Sequence, residues 1–231
     1  MEENKTDEKE NPFLIPGAII AAGFLIASAV IYSSSADKSP TEENNQESAA
    51  GVQALKELFE GGHFLGNPDA PVTMVEFSDF QCPWCEKFFQ TAEPQIVENY
   101  VKTGKVKFVY RHFPFLGQES VSAALASECA DEQGKFWEYH DYLFNNQGAE
   151  NSGAFSADNL KKFARSLGLE EEKFNSCLDS QKYMDKIRQD YSLAQSRGVN
   201  STPTNFIDEL KLEGFLDYVG YENAIENKLN K

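Results

Sequence analysis

Two cysteines, Cys82 and Cys85, lie two residues apart in the segment FSDFQCPWCEKFF (77–89), and this spacing suits three kinds of chemistry. Such pairs hold zinc, form a structural disulfide or exchange electrons with other thiols. A zinc site needs a second ligand pair at short spacing, whereas the chain offers only the isolated Cys129 and Cys177 and three histidines. A disulfide across two residues constrains the unfolded chain little, so the pattern favours redox exchange.

The first cysteine lies where a strand gives way to a helix. The strand-forming run PVTMVEF (71–77) precedes the pair and a helix-like segment follows it, so Cys82 is predicted at the helix N-terminus. Unpaired amide groups and the helix dipole favour a thiolate there, which makes Cys82 the expected nucleophile. Pro83 fits the first helical turn, where its missing N–H costs nothing. Cys85, one turn later, is positioned to attack a mixed disulfide on Cys82 and release the partner.

Two further positions fit an exchange site. Glu76 lies in the apolar strand six residues before Cys82, where burial of a carboxylate is costly unless the group serves a function. A buried acid there would accept the proton of the Cys85 thiol and return it during exchange. The alternative is that Glu76 lies at a strand edge and faces solvent. Thr202-Pro203 opens the strand-like run TPTNFI, which indicates either a strand entrance, a cis peptide bond or an ordinary trans proline in a loop.

The charge and length of the chain restrict its function. A net charge of −16 argues against nucleic-acid binding, which needs clustered Lys and Arg along the phosphates. The expected partner is therefore a protein or a small molecule. The 231 residues suffice for one domain with a sizeable core, and no dimerisation segment is evident, so a monomer is expected.

The N-terminal region predicts a membrane anchor. Residues 13–32 carry no charge and match the roughly 20 residues that a membrane-spanning helix needs. The alternative is a cleaved signal peptide, but the preceding residues 1–12 are acidic rather than basic. A slight lysine bias places this short N-terminal tail in the cytoplasm. Residues 33–50 are polar and acidic and lack large apolar side chains, so they predict a flexible linker.

Residues 51–231 predict an α/β domain with a helical insert. Strand-like runs at 71–77 and 106–113 flank a helical periodicity, which together indicate a βαβ unit with parallel strands. Pro94 is expected to kink that helix. From about 117 to 198 the pattern is wholly helical, after which a strand pair and a last helix complete the core.

The other two cysteines, Cys129 and Cys177, fall in the helical insert. If paired they close a loop of about 48 residues, which the chain-entropy model values at roughly 4 kcal/mol. The alternative is two buried free thiols, because cysteine packs well as a small apolar residue. The oxidising compartment that disulfide chemistry requires favours the bond.

The histidines predict no metal site. His112 and His140 are interpreted as packing or surface residues, because no second ligand lies at helical or strand spacing from either. The many aromatic residues of the insert are expected to pack its core rather than to bind a cofactor. We therefore expect neither a metal nor a cofactor.

Five segments together resemble the DsbA-like thiol:disulfide oxidoreductases, which are thioredoxin folds with an inserted helical domain. The resemblance covers about residues 60–230 and rests on EFSDFQCPWCEKFF, YRHFPF, ASECADEQGKFWEYHDYLF, FNSCLDS and GVNSTPTNFI in this order. It implies the following roles: exposed nucleophile for Cys82, resolving thiol for Cys85, buried acid for Glu76, and a cis-proline at Pro203 preceded by Thr202.

One position departs from the family pattern. The best-known members have a histidine before the second cysteine, which helps to stabilise the thiolate, whereas this chain has Trp84. An indole supplies no positive charge, so the oxidising strength of the pair is left open. Trp84 is instead expected to join Pro83, Thr202 and Pro203 in an apolar surface that binds substrate peptides.

These features predict a membrane-anchored thiol:disulfide oxidoreductase with its catalytic domain outside the cytoplasm. The Cys82–Cys85 disulfide would oxidise cysteine-containing extracytoplasmic proteins, and the resemblance implies a membrane partner that passes the electrons to a quinone. One alternative is a reductase or isomerase that uses the same site. Another is a non-catalytic binding module whose cysteine pair is structural or holds zinc.

Overall fold

The structure, a computed structural model, describes residues 56–230. The predicted tail (1–12), membrane span (13–32) and linker (33–50) lie outside the described residues. Within residues 56–230, no helix is long and apolar enough to cross a membrane.

Five strands form one mixed sheet in the order β1-β3-β2-β4-β5. The predicted parallel pairing of β2 with β3 is confirmed, and the remaining neighbours pair antiparallel. The strands β2 and β3 are largely buried on both faces, which explains why apolar residues occur on each side of them. The strands are β1 His63–Leu65, β2 Val72–Ser78, β3 Val106–His112, β4 Thr204–Ile207 and β5 Leu210–Glu213.

Within the described residues, eight helices follow β2 in the chain, and residues 56–59, before β1, are also helical. The expected kink near Pro94 is present: the helix after β2 divides into α1 and α2, and a π-helical turn at Val97–Val101 follows. The short strand β1, which pairs with β3 at the edge of the sheet, was not predicted. The helices are α1 Pro83–Thr91, α2 Glu93–Ile96, α3 Gln118–Asp131, α4 Phe136–Asn145, α5 Ala157–Ser166, α6 Glu171–Asp179, α7 Met184–Ser196 and α8 Tyr218–Leu229.

Helices α3 to α7 lie between β3 and β4 in the chain, so the predicted insertion of helices into an α/β core is confirmed. Helix α3 is the most buried of them, because its alanines and serines let neighbouring helices approach closely. The buried residues of the insert form one cluster with Cys82, Cys85 and Tyr110. The insert therefore shares its core with the cysteine pair.

The two faces of the sheet bury different residues. Met74 of β2 packs with Phe88 of α1 and Ile225 of α8 on one face. Val75 and Phe77 point to the opposite face, where they pack with Ala194 of α7 and other apolar residues. This alternation places the side chain of Glu76, which lies between Val75 and Phe77, on the face that α1 covers.

Candidate active site

The cysteine pair begins helix α1 as predicted. Cys82 is the N-cap residue and Pro83 occupies the first helical turn. The carbonyl of Cys82 accepts hydrogen bonds from the N–H groups of Cys85 (3.1 Å) and Glu86 (3.0 Å), which close that turn. Both cysteines are free thiols, and only Cys82 retains any exposure, at 4% against 0% for Cys85. An incoming thiol therefore reaches Cys82 first.

The two thiols differ strongly in acidity. A hydrogen bond from the Cys85 thiol, supported by the Thr202 side chain and the N–H groups of Cys85 and Trp84, lowers the pKa of Cys82 to about 6 against the opposing effect of burial. Burial, and then the adjacent Cys82, raise the pKa of Cys85 well above its usual range. At neutral pH the reduced pair therefore consists of a thiolate at Cys82 and a thiol at Cys85.

The rate at which the reduced protein reacts with iodoacetamide is expected to follow this acidity. The rate should rise about tenfold per pH unit below pH 6 and level off above it, because only the thiolate reacts. Stopped-flow alkylation between pH 4 and 9 measures the profile. A Cys85→Ala variant should move the midpoint towards higher pH, because it removes the main stabilising hydrogen bond. A wild-type midpoint near 9 would show that the thiolate is not stabilised.

The fold brings Thr202-Pro203 beside the cysteines from 120 residues away. The Thr202–Pro203 peptide bond is cis, and strand β4 begins at the next residue. In its protonated form, the Cys82 thiol donates a hydrogen bond to the Thr202 carbonyl at 3.3 Å. Strand β4 runs antiparallel to β2, and Thr204 at its start pairs with Phe77 near the end of β2. The start of β4 and the Cys82 sulfur therefore lie at the same end of these strands.

Glu76 is fully buried in the middle of the sheet. It pairs with Tyr110 on β3 and with Asn205 on β4, so the alternative of a solvent-facing strand edge is wrong. Neither carboxyl oxygen has a hydrogen-bond partner among the described residues. Burial, with a smaller effect from the negative charge of Cys82, raises the pKa of Glu76 to about 8. Glu76 is therefore mostly protonated at pH 7 and can exchange a proton within the physiological range.

An exposed aromatic surface adjoins the cysteines. Trp84 is 53% exposed and stacks on Phe215 with ring centroids 6.0 Å apart. The Lys87 ammonium lies 5.2 Å from the Trp84 ring and 4.8 Å from the Phe215 ring. Pro83 is also exposed, so an apolar surface begins directly at the first turn of α1.

Several polar residues that sequence reasoning missed hold the loop before Cys82. The Asp79 carboxylate accepts hydrogen bonds from the N–H groups of Gln81, Phe115 and Leu116. Gln147, from the loop after α4, donates to the carbonyls of Phe80 (2.6 Å) and Cys82 (3.1 Å). An aspartate directly after a strand is a signal for such a turn, whereas nothing local marks Gln147.

Cys129 of α3 and Cys177 of α6 are joined by a disulfide in the structure, so they are not the free buried thiols of the alternative interpretation. Both residues are buried in the core of the insert. The bond fastens the central helix of the insert to its neighbour and closes a loop of 48 residues. It leaves Cys82 and Cys85 as the free cysteines of the described chain.

His140 and His112 have different surroundings in the structure. His140 is buried among aromatic rings, and its Nδ1 lies 2.9 Å from Asp141, in agreement with a packing role. His112 is also buried, but it has polar neighbours that local sequence spacing does not reveal. The fold brings it together with His63 of β1 and Glu128 of α3, two residues from distant parts of the chain.

A CxxC pair at the start of the first helix of a βαβ unit, with a stabilised thiolate and a cis-proline opposite it, defines a thiol:disulfide oxidoreductase. The family model described as Thioredoxin matches residues 59–227. Disulfide bond formation protein D of Bacillus subtilis is 31% identical over 192 residues, which cover 82% of this chain and 84% of that protein. The chain therefore belongs to the DsbA-like thioredoxin-fold oxidoreductases.

Solved structures support this assignment. Oxidised BdbD from Bacillus subtilis aligns with a TM-score of 0.71 at 31% identity, over 75% of this chain and 95% of that one. Wolbachia pipientis alpha-DsbA1 aligns with a TM-score of 0.67 at 29% identity, over 74% of this chain and 92% of that one. The predicted thioredoxin-like α/β fold with inserted helices and the predicted oxidoreductase class are confirmed.

Proposed function

We propose that this protein is a membrane-anchored oxidase that introduces disulfides into extracytoplasmic proteins through Cys82 and Cys85. The observation that carries the proposal is the stabilised thiolate of Cys82, whose pKa is lowered to about 6. Stabilisation of the thiolate favours the reduced pair and so makes its disulfide a stronger oxidant. The relative named as a disulfide bond formation protein supports the same direction.

The exchange proceeds in two steps on Cys82. A substrate thiolate attacks the Cys82 sulfur of the oxidised pair, the Cys82–Cys85 bond breaks, and Cys85 leaves as a thiolate that takes up a proton. A second substrate thiolate then attacks the substrate sulfur of the mixed disulfide and displaces Cys82. The substrate leaves with a new disulfide and the protein keeps the two electrons in its reduced pair. The low pKa of Cys82 makes it the better leaving group in the second step.

Glu76 supplies the proton for the first step in this scheme. The Cys85 leaving group is buried and weakly acidic, so its departure needs a proton source within the core. Glu76 is the buried acid whose charge acts on Cys85, and its pKa of about 8 keeps it protonated at pH 7. During reoxidation Glu76 takes the proton back from Cys85.

Replacing Glu76 with glutamine is expected to slow substrate oxidation at pH 7 by about 100-fold, because an amide cannot donate the required proton. Stopped-flow tryptophan fluorescence with a dithiol peptide measures the rate. A Glu98→Gln variant, which changes an exposed carboxylate on the π-helical turn, should keep the wild-type rate. Equal rates for all three proteins would remove Glu76 from the mechanism.

The same variant is expected to change the pH dependence of stability. Because the pKa of Glu76 is raised in the folded state, its contribution to stability is complete below its ordinary pKa of 4.5 and is lost as the pH rises through about 8. At pH 8 the Glu76→Gln protein should therefore be more stable than the wild type by roughly 4 kcal/mol. Urea unfolding at pH 5 and pH 8 measures this difference.

The substrate peptide binds along the strand entrance and the aromatic surface. The Thr202 carbonyl lies 3.3 Å from the Cys82 sulfur, which places a backbone acceptor beside the residue that forms the mixed disulfide. Pro203 follows that carbonyl in the chain, while the exposed Trp84 and Pro83 present apolar area in the helical turn that Cys82 caps. This arrangement suits substrates that are still unfolded, since their backbone and apolar side chains are both accessible.

The anchor and the redox partner belong to the same proposal. The uncharged segment 13–32 supports a single membrane span with the N-terminus in the cytoplasm, and residues 33–50 act as the linker to the catalytic domain. A membrane protein that passes electrons to a quinone reoxidises the pair. No cofactor is needed on this chain, and the domain acts as a monomer.

The redox equilibrium between Cys82–Cys85 and glutathione tests the direction of electron flow. The pair is expected to be fully reduced in glutathione mixtures that still contain mostly oxidised glutathione. Mass spectrometry of the proteolytic peptide that contains Cys82 and Cys85 measures the oxidised fraction of this pair. The Cys129–Cys177 disulfide does not contribute to that measurement. A Cys82–Cys85 disulfide more stable than that of glutathione would reverse the assignment to a reductase or isomerase.

A further inference from the structure

A second buried acid, Glu93, lies on a helix that packs on the same face of the sheet as α1. It begins helix α2, whose Ile96 packs with Met74 of β2 on that face. Glu93 is 6% exposed, and its Oε2 has no hydrogen-bond partner among the described residues. Burial of a carboxyl group costs free energy, and no step of the exchange at the two sulfurs uses this one. Its position in the core therefore needs another explanation.

Glu93 lines a surface cavity of about 590 Å³ between α1, α2 and α4. The break in the helix contributes to this cavity, because Pro94 has no N–H to donate to the carbonyl of Gln90 and both residues line it. Asp141 of α4 lines the same cavity, and its side chain is 56% exposed. The cavity therefore gives solvent a route to Glu93.

Glu93 also lies within electrostatic reach of Glu76. Burial raises the pKa of Glu93 well above its usual range, and the negative charges of Glu76 and Asp141 raise it further. Glu93 is therefore protonated at neutral pH, as Glu76 mostly is. A protonated carboxyl group both donates and accepts hydrogen bonds, so it can pass a proton on in either direction. The two acids thus form an interacting pair, one in the core of the sheet and one at the cavity.

Tyr110 and His140 add two further polar groups on this side of the sheet. Tyr110 pairs with Glu76 across β2 and β3, and its buried hydroxyl has no partner among the described residues. The centroid of the His140 ring lies 4.9 Å from that of Tyr110, and the buried Nε2 of His140 is likewise unpartnered within residues 56–230. His140 Nδ1 lies 2.9 Å from Asp141 at the cavity. Buried groups of this kind are the usual sites of internal water, so polar groups extend from Glu76 towards the cavity.

The exchange cycle requires protons to enter and leave the core. After Glu76 donates its proton to Cys85, it is a carboxylate, and with a pKa of about 8 it takes up a new proton at pH 7. Before reoxidation Glu76 must release this proton, because only the carboxylate can accept the proton of the Cys85 thiol. Glu76 is itself 0% exposed, so both transfers need a carrier between its carboxyl group and water.

We propose that Glu93 carries protons between Glu76 and the solvent in this cavity, an inference that rests on the role proposed above for Glu76. On the inward path, Glu93 passes its proton towards the Glu76 carboxylate and regains one from water at the cavity. On the outward path, the proton of Glu76 moves towards Glu93, and Glu93 releases one to water. One proton enters and one leaves in each cycle. Glu93 takes no part in the steps at the sulfurs and acts through Glu76.

Single turnovers and reoxidation kinetics separate this role of Glu93 from a structural one. Oxidised protein begins with Glu76 protonated, so the Glu93→Gln variant should oxidise an equimolar dithiol peptide at the wild-type rate. Reoxidation of the reduced variant by excess glutathione disulfide at pH 7 should be about tenfold slower and slower still in heavy water, because proton release from Glu76 then limits the rate. The difference from the wild type should shrink above pH 8, where Glu76 is already a carboxylate. Stopped-flow tryptophan fluorescence measures both rates.

Matched variants complete the test. Glu93→Asp keeps a carboxyl group and should recover most of the reoxidation rate, and formate that enters the cavity should accelerate the Glu93→Ala variant. Glu98→Gln, which changes an exposed carboxylate on the π-helical turn, should behave as the wild type. An unchanged reoxidation rate for Glu93→Gln, or equal slowing of its single turnover, would overturn the inference and leave the role of Glu76 intact. Wild-type exchange by Glu76→Gln would instead refute the proposed role of Glu76, and this inference with it.

Discussion

Replacing Cys82 with serine is expected to reduce the rate of thiol–disulfide exchange at least about 1000-fold, because serine provides no sulfur for a mixed disulfide. Cys85 cannot take over, since it is fully buried and its pKa lies well above the usual range. The rate is measured as the oxidation of a fluorescent dithiol peptide by glutathione disulfide, with a catalytic amount of either protein present. Helix α1 should persist, because the N-cap side chain makes no capping hydrogen bond that serine would have to replace.

The matched control is Cys85→Ala, which keeps the nucleophile and removes the resolving thiol. Offered a peptide disulfide, Cys82 attacks one sulfur and the other leaves as a thiol, so the peptide stays bound through a mixed disulfide. Non-reducing mass spectrometry should detect this adduct, and reductant should release it. Exchange at the wild-type rate by Cys82→Ser would refute the proposed catalysis. Absence of a peptide adduct on the Cys85→Ala variant would count against Cys82 as the nucleophile and Cys85 as the resolving thiol.

Removing the Cys129–Cys177 disulfide is expected to lower the free energy of unfolding by about 4 kcal/mol, because the bond closes a loop of 48 residues in the unfolded chain. This loss is a large share of the 5–15 kcal/mol typical of a domain. A Cys129→Ala/Cys177→Ala variant measured by urea unfolding gives the value. The bond joins α3 to α6, so the insert should lose more amide protection than the sheet in hydrogen exchange.

The control for this experiment carries Cys82→Ala and Cys85→Ala in both proteins, so that redox state at the active site cannot contribute. A single Cys177→Ala variant additionally leaves Cys129 as a buried free thiol, and it should lose about as much stability as the double variant. If the double variant unfolds at the same urea concentration as its parent, the disulfide does not stabilise the insert. Equal loss of protection in sheet and insert would instead indicate one cooperative unit.

The sequence alone identified the features that depend on residues close together in the chain. The strand before Cys82 and the helix after it followed from residue type and periodicity, and β2 is buried on both faces as its apolar run indicates. The insertion of helices between β3 and β4 could also be predicted, because the apolar residues recur with a helical period over many residues there. Glu76 stood out since a carboxylate in such a strand is exceptional.

Only the tertiary structure decided which of these positions meet. Thr202 reaches the Cys82 sulfur across 120 residues because β4 pairs with β2, and no local pattern encodes that pairing. The strand β1 was missed because three residues are too few to show alternation, and with it the meeting of His63 with His112 was missed. Periodicity reports which face of an element is apolar, but the order of strands and the packing of helices determine what that face contacts. The cysteine pair was therefore predictable from sequence, whereas its environment and the histidine cluster were not.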